Sequence, residues 1–153
     1  MNCKSLLVVV FVGLVACQDA ESLRVSCDAG DATACFNLGL MYSTGDGVTQ
    51  DFAHAVSLYE QACDGGEMVG CYNLGVAYAT GADVTLDPAR AVSLYQQACD
   101  GGEMLGCHDL GVMYYQGDGV TQDFARAVSL FQQACDGGMV AVCRRGANTE
   151  LGL

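Results

Sequence analysis

Ten cysteines stand in the 153 residues, and eight of them keep a strict register. Cys27, Cys63, Cys99 and Cys135 recur every 36 residues, and Cys35, Cys71, Cys107 and Cys143 each follow eight positions later. Thiols could bind a metal, carry redox chemistry or pair with one another. Structural zinc prefers ligands two to four residues apart, and the sequence has neither C-x-x-C nor a histidine cluster, so no metal site is expected. The C-x-x-C of a thioredoxin-like centre and the C-x-x-C-H of a c-type haem are missing too, and no cofactor is expected. Pairing remains. Cys63 and Cys71 bracket the turn Asp64-Gly65-Gly66, so a bridge there staples one unit to the next and adds roughly 2 to 3 kcal/mol by restricting the unfolded chain. Regular disulfides place the chain in an oxidising compartment.

The other chemistry-bearing residues are sparse. His54 and His108 are the only histidines. His54 shares a column with Arg90 and Arg126 and reads as a solvated face residue. His108 shares one with Phe36 and Tyr72, and Asp109 beside it aligns with Asn37 and Asn73. Neighbours on a helix point about 100° apart, so His108 and Asp109 are not expected to form a dyad. Asp46, Asp51, Asp118 and Asp123 lack the D-x-D-x-D spacing of a calcium loop, and helix capping accounts for Asp51. No Gly-x-Ser-x-Gly elbow, Walker loop or paired catalytic carboxylate motif occurs, and no catalytic residue is assigned.

A fixed period of this length means a stacked array whose units bury their apolar faces against one another. Full units run over 31–66, 67–102 and 103–138, with partial capping units at 22–30 and 139–153. Each full unit reads as helix, loop, helix, turn. Cys35, Leu38, Gly39 and Tyr42 recur at steps of three and four, as do Ala55, Leu58, Tyr59 and Ala62. Gly45-Asp46-Gly47-Val48 interrupts the pattern, and Asp51 caps the next helix. In the second unit Pro88 follows its cap Asp87, a position where proline loses no amide bond. Asp83 replaces the glycine of the other two loops and is tolerated in a left-handed conformation. Gly39, Gly75 and Gly111 sit mid-helix at a cost of about 1 kcal/mol each, which close approach of a partner helix would offset. The aromatic stripe is read as core.

The chain begins like an exported one. Residues 1–16 combine a short n-region containing Lys4 with an apolar run too brief to span a bilayer, as in a signal peptide. Leu14-Val15-Ala16-Cys17 resembles a bacterial lipobox, which would make Cys17 a lipid anchor followed by a tether over 17–21. Ordinary cleavage and secretion is the alternative. Cys3 leaves with the leader, so either route leaves no thiol unpaired. Loss of Lys4, the only lysine, takes the formal charge from −12 to about −13, an acidity that disfavours nucleic acid and anionic lipid and favours a cationic protein or peptide partner. Membrane contact is expected only through the anchor.

L-G-x-x-Y, G-x-G-V-x-x-D and A-x-x-L-Y-x-x-A-C, with a C-x7-C pair in every unit, resemble the disulfide-rich Sel1-like repeat proteins of the Helicobacter cysteine-rich type. The resemblance covers Ser22 to about Ala147. It implies an all-α fold, a right-handed α/α superhelix (solenoid) related to tetratricopeptide arrays, periplasmic or secreted, that engages partners through the concave face of its first helices. It also implies an alternative activity, because some members are described as slow penicillin-binding proteins or β-lactamases. The residues do not supply one: a serine enzyme of that class uses S-x-x-K, and the chain after the leader has no lysine.

The expected function is therefore a monomeric scaffold at the cell envelope, periplasmic or secreted. Its candidate ligand-binding residues are Asn37, Met41, Asn73, Ala77, Asp109 and Met113, with Leu40, Val76 and Val112 beside them. Amide side chains that both donate and accept could hold an extended peptide. Arg144, Arg145 and Glu150 in the last partial unit read as a solubilising cap.

Overall fold

The structure, a computed structural model, describes residues 19–139. Seven helices follow in order: α1 (Ala20–Asp28), α2 (Ala32–Thr44), α3 (Phe52–Asp64), α4 (Met68–Thr80), α5 (Pro88–Asp100), α6 (Met104–Gln116) and α7 (Phe124–Asp136). No strand occurs among the described residues. Packing runs chiefly between successive helices, so α2/α3, α4/α5 and α6/α7 form three hairpins and α1 stands as a half-unit before them. Residues 1–16, Cys17, Cys143 and most of the expected C-terminal cap lie outside the described residues.

Caps fix where each helix begins and ends. The carboxylates of Asp51, Asp87 and Asp123 accept from the amides of His54, Arg90 and Arg126 at 2.9, 3.0 and 3.0 Å. Pro88 occupies the first turn of α5. The first helices end on left-handed Gly45, Gly81 and Gly117, and each loop is closed by the cap amide donating to a tyrosine carbonyl, Tyr42, Tyr78 or Tyr114, at 2.9 Å. Asp83 adopts φ 56°, where Gly47 and Gly119 have 73° and 66°. It is the one non-glycine residue with positive φ among the described residues.

The mid-helix glycines make room for rings. A Cβ on Gly39, Gly75 or Gly111 would lie 2.8, 2.7 or 2.8 Å from Tyr59, Tyr95 or Phe131 of the following helix. Each ring thus packs closely against the backbone of the helix before it, and the burial offsets the glycine's conformational cost. Gly70 and Gly106 do the same at the unit junctions, where Ala62 and Ala98 approach within 2.8 Å of the missing Cβ.

Three bridges staple those junctions: Cys27–Cys35, Cys63–Cys71 and Cys99–Cys107, with Cα–Cα distances of 4.6, 4.5 and 4.5 Å. Each ties the end of one hairpin, or of α1, to the first helix of the next. Cys135 is also disulfide-bonded.

Candidate functional site

The first helices α2, α4 and α6 carry the columns singled out for binding. Their exposed stripe is shifted one position from expectation. Ala77 and Met113 are 8 % and 6 % exposed, and Met113 packs in the core with Leu110 and Tyr114. They are not surface residues, and Met41 is only half-buried against α1 and α2. One residue earlier, about 100° round the helix, Leu40 is 45 % exposed, and Val76 and Val112 are partly exposed. Leu105, about two turns before Val112 toward the start of α6, is 42 % exposed. In the second and third units the more exposed apolar residues are therefore Val76 and Val112, not the buried Ala77 and Met113; in the first, Leu40 is exposed and Met41 is partly buried, as Val76 and Val112 are.

Asn37, Asn73 and Asp109 flank this column, all partly buried, but they are not equivalent. Asn73 donates through Nδ2 to the carbonyl of Val69 at 2.8 Å, which commits one face of its amide to its own helix. Asp109 is held by His108, whose Nδ1 lies 2.7 Å from Oδ1. A carboxylate only accepts, so Nδ1 carries the proton and Nε2 is left as the outer ring nitrogen. The dyad excluded on angular grounds thus forms. The 100° between adjacent Cβ directions is bridged because two short planar side chains bend toward each other across a single residue.

Tyr72, on the preceding first helix, completes the group. Burial, then the charge of Asp109 and a hydrogen bond to it, then the charge of Glu103, push the Tyr72 hydroxyl up to about 12. Tyr95 is displaced upward as well, first by burial and then by Asp109 and Tyr72. Behind these groups runs a ladder of tilted ring pairs at one register: Phe36 on Tyr59, Tyr72 on Tyr95 and His108 on Phe131, with centroids 6.0, 5.8 and 5.6 Å apart. In the first unit Phe36 brings no hydroxyl to this position, and the ladder's polar contact there is Tyr59 donating to Ser43 Oγ at 3.1 Å. The sequence carried the signal in His108 and Asp109 together breaking their columns. The link to Tyr72 needed the distance between units.

The other histidine lies on the surface, as a solvated face residue should, and has a ring partner there. His54 is exposed, yet its ring stacks on Tyr42 with centroids 4.1 Å apart and 10° between planes. Arg90 and Arg126 lie over Tyr78 and Tyr114 at 4.3 and 4.6 Å. The column is a row of flat cationic or aromatic lids on the loop tyrosines. Neither histidine is hydrogen-bonded to a serine, threonine or cysteine among the described residues. No group of three or more His, Cys, Asp or Glu side chains is placed to hold a metal among the described residues.

A family model described as Sel1 repeat matches residues 32–67, 69–103 and 105–139. Among solved structures, a protective antigen of uropathogenic Escherichia coli displaying an SLR fold is 33 % identical, with a TM-score of 0.78, over 81 % of this chain and 27 % of its own. A Sel1 repeat protein from Oxalobacter formigenes is 29 % identical, with a TM-score of 0.76, over 80 % and 50 %. Helicobacter pylori cysteine rich protein B is 28 % identical, with a TM-score of 0.64, over 81 % and 94 %. The chain thus spans about a quarter and a half of the first two proteins. No curated protein matches it.

Proposed function

Since the chain belongs to the Sel1 repeat family, we propose that it is a non-catalytic scaffold that works outside the cytoplasm and binds a protein or peptide through the exposed face of α2, α4 and α6. The observation that carries this reading is the partly exposed stripe of Leu40, Val76, Val112 and Leu105 beside Asn37, Asn73 and Asp109. An apolar column flanked by amides and a carboxylate suits an extended segment, with side chains meeting the aliphatic groups and backbone meeting the polar ones. The net charge of −12 and the carboxylates of Glu67, Glu103 and Asp109 near this face favour a cationic segment.

In this reading the disulfides form after export, residues 1–16 are a removed leader, and Cys17 carries lipid that holds a monomer at the envelope. Mass spectrometry of the mature amino terminus tests that part: an acylated Cys17 is expected, and an unmodified chain starting at Gln18 would mean secretion.

The binding face is tested by Leu40→Asp with Leu105→Asp, both at exposed positions. The oxidised variant should keep its helical circular dichroism and lose capture of its partner from envelope extract. Capture equal to the unaltered chain, with the fold intact, would overturn the assignment of this face.

A further inference from the structure

Five Asp–Gly steps recur through the array: Asp46–Gly47, Asp64–Gly65, Asp100–Gly101, Asp118–Gly119 and Asp136–Gly137. All of these residues are exposed, so access to water does not distinguish them. The bonding of the glycine amide does. At the ends of α3, α5 and α7 it caps the helix, donating to the carbonyl of Gln61, Gln97 or Gln133 at 3.0, 3.1 and 3.0 Å. At Gly47 and Gly119, in loops that join a first helix to a second, it has no hydrogen bond among the described residues, and neither have the carboxylates of Asp46 and Asp118.

The two loop steps differ in what lies against them. A Cβ on Gly119 would lie 2.4 Å from the carbonyl carbon of Pro88 and 2.7 Å from the amide nitrogen of Ala89, so this backbone is seated on the start of α5. Around Gly47 the nearest atom is the terminal methyl of Met41 at 3.0 Å, the end of a flexible side chain. The second unit has no such step. Ala82, Asp83 and Val84 stand where the first has Asp46, Gly47 and Val48, and a branched valine follows Asp83.

We propose that Asp46–Gly47 is a site of spontaneous covalent modification, at which the aspartyl linkage isomerises to isoaspartyl. The Gly47 nitrogen, which no Cβ screens, attacks Cγ of the protonated Asp46 carboxyl. The new C–N bond closes a five-membered succinimide, and the carboxyl hydroxyl leaves with the amide proton as water. Water then reopens the ring. Cleavage between the nitrogen and the main-chain carbonyl leaves a chain that runs through Cγ and is one carbon longer, whereas cleavage at Cγ restores aspartate. One water is lost and one regained, and no oxidant or cofactor takes part. The added carbon falls between two fixed points, the Gly45 amide on the Met41 carbonyl at 2.8 Å and the Asp51 amide on the Tyr42 carbonyl at 2.9 Å, so it must be taken up within the loop of the first hairpin. None of this depends on the first-helix face binding anything.

The full oxidised chain, aged at neutral pH and body temperature, then reduced, digested and read by electron-transfer mass spectrometry, should accumulate isoaspartate first at residue 46. Asp118 should lag, and the three helix-end steps should react at least about fivefold more slowly than Asp46, because their amides must leave a helix bond before they can attack. The urea-unfolded chain should lose this ranking. Gly47→Asp, which copies the residue that Asp83 supplies at φ 56°, should slow the reaction at residue 46 about fivefold or more while keeping the helical circular dichroism. Equal rates at the five steps of the folded chain, faster reaction at Asp118 or at a helix end, or no isoaspartate when the unfolded chain has already formed it, overturns the proposal. Ageing of the Gly47→Asp chain at the unaltered rate would do the same.

Discussion

The charge of Asp109 in the next unit acts on the Tyr72 hydroxyl, and its ionisation should report on that junction. Its folded pKa of about 12 lies above the usual tyrosine value of about 10. The neutral hydroxyl therefore contributes stability that is complete below about pH 10 and is lost as pH rises through about 12. A titration followed at 295 nm should show Tyr72 and Tyr95 ionising above the usual tyrosine range, in a late step that coincides with loss of helix signal. Tyr72→Phe should shrink the late step while keeping the fold, because Phe36 already fills that column in the first unit. Gly75→Ala tests packing at the same scale. The Cβ would sit 2.7 Å from the Tyr95 ring, and the overlap should outweigh the better helix propensity of alanine by about 1 to 2 kcal/mol in urea denaturation. Residue types showed that Gly39, Gly75 and Gly111 needed a packing return. They did not show that aromatic rings supply it, because ring position depends on the partner helix's register. His108 and Asp109 were legible as column breakers, and their contact was misjudged because only Cβ directions were weighed.

Each junction between hairpins is held by one bridge and one small-residue contact, so cutting a bridge should be felt locally. The double variant Cys63→Ser, Cys71→Ser should lose roughly 2 to 3 kcal/mol, with α3 and α4 exchanging amide hydrogen faster than α6. Uniform acceleration across all helices would mean that the array unfolds as one block. At this scale most of the architecture was readable. The cysteine register, the Asp caps and the Gly-x-Gly loops each mark a boundary by a physical requirement, and α2 to α7 begin one residue after Asp or Glu and end before Gly. The exposed stripe was harder. In a helix so rich in apolar residues, the surface column is set by which neighbour covers it, and Leu40, Val76 and Val112 differ from Met41, Ala77 and Met113 by one step.

The whole molecule is a row of near-identical hairpins whose two long faces differ. The second-helix row of α3, α5 and α7 is tied together by Arg90 and Arg126, which also lie over the loop tyrosines, whereas the first-helix face sets exposed Leu40 and Leu105 in the same stripe as the acidic Asp109. The proposed scaffold would use the first-helix face as its working surface. In-cell photo-crosslinking tests that most directly, with a photoreactive amino acid placed in turn at position 40 and at position 93, an exposed site on α5. Partner adducts at position 40 and none at position 93 are predicted. Adducts at position 93 alone, or at neither site, would contradict binding through the first helices.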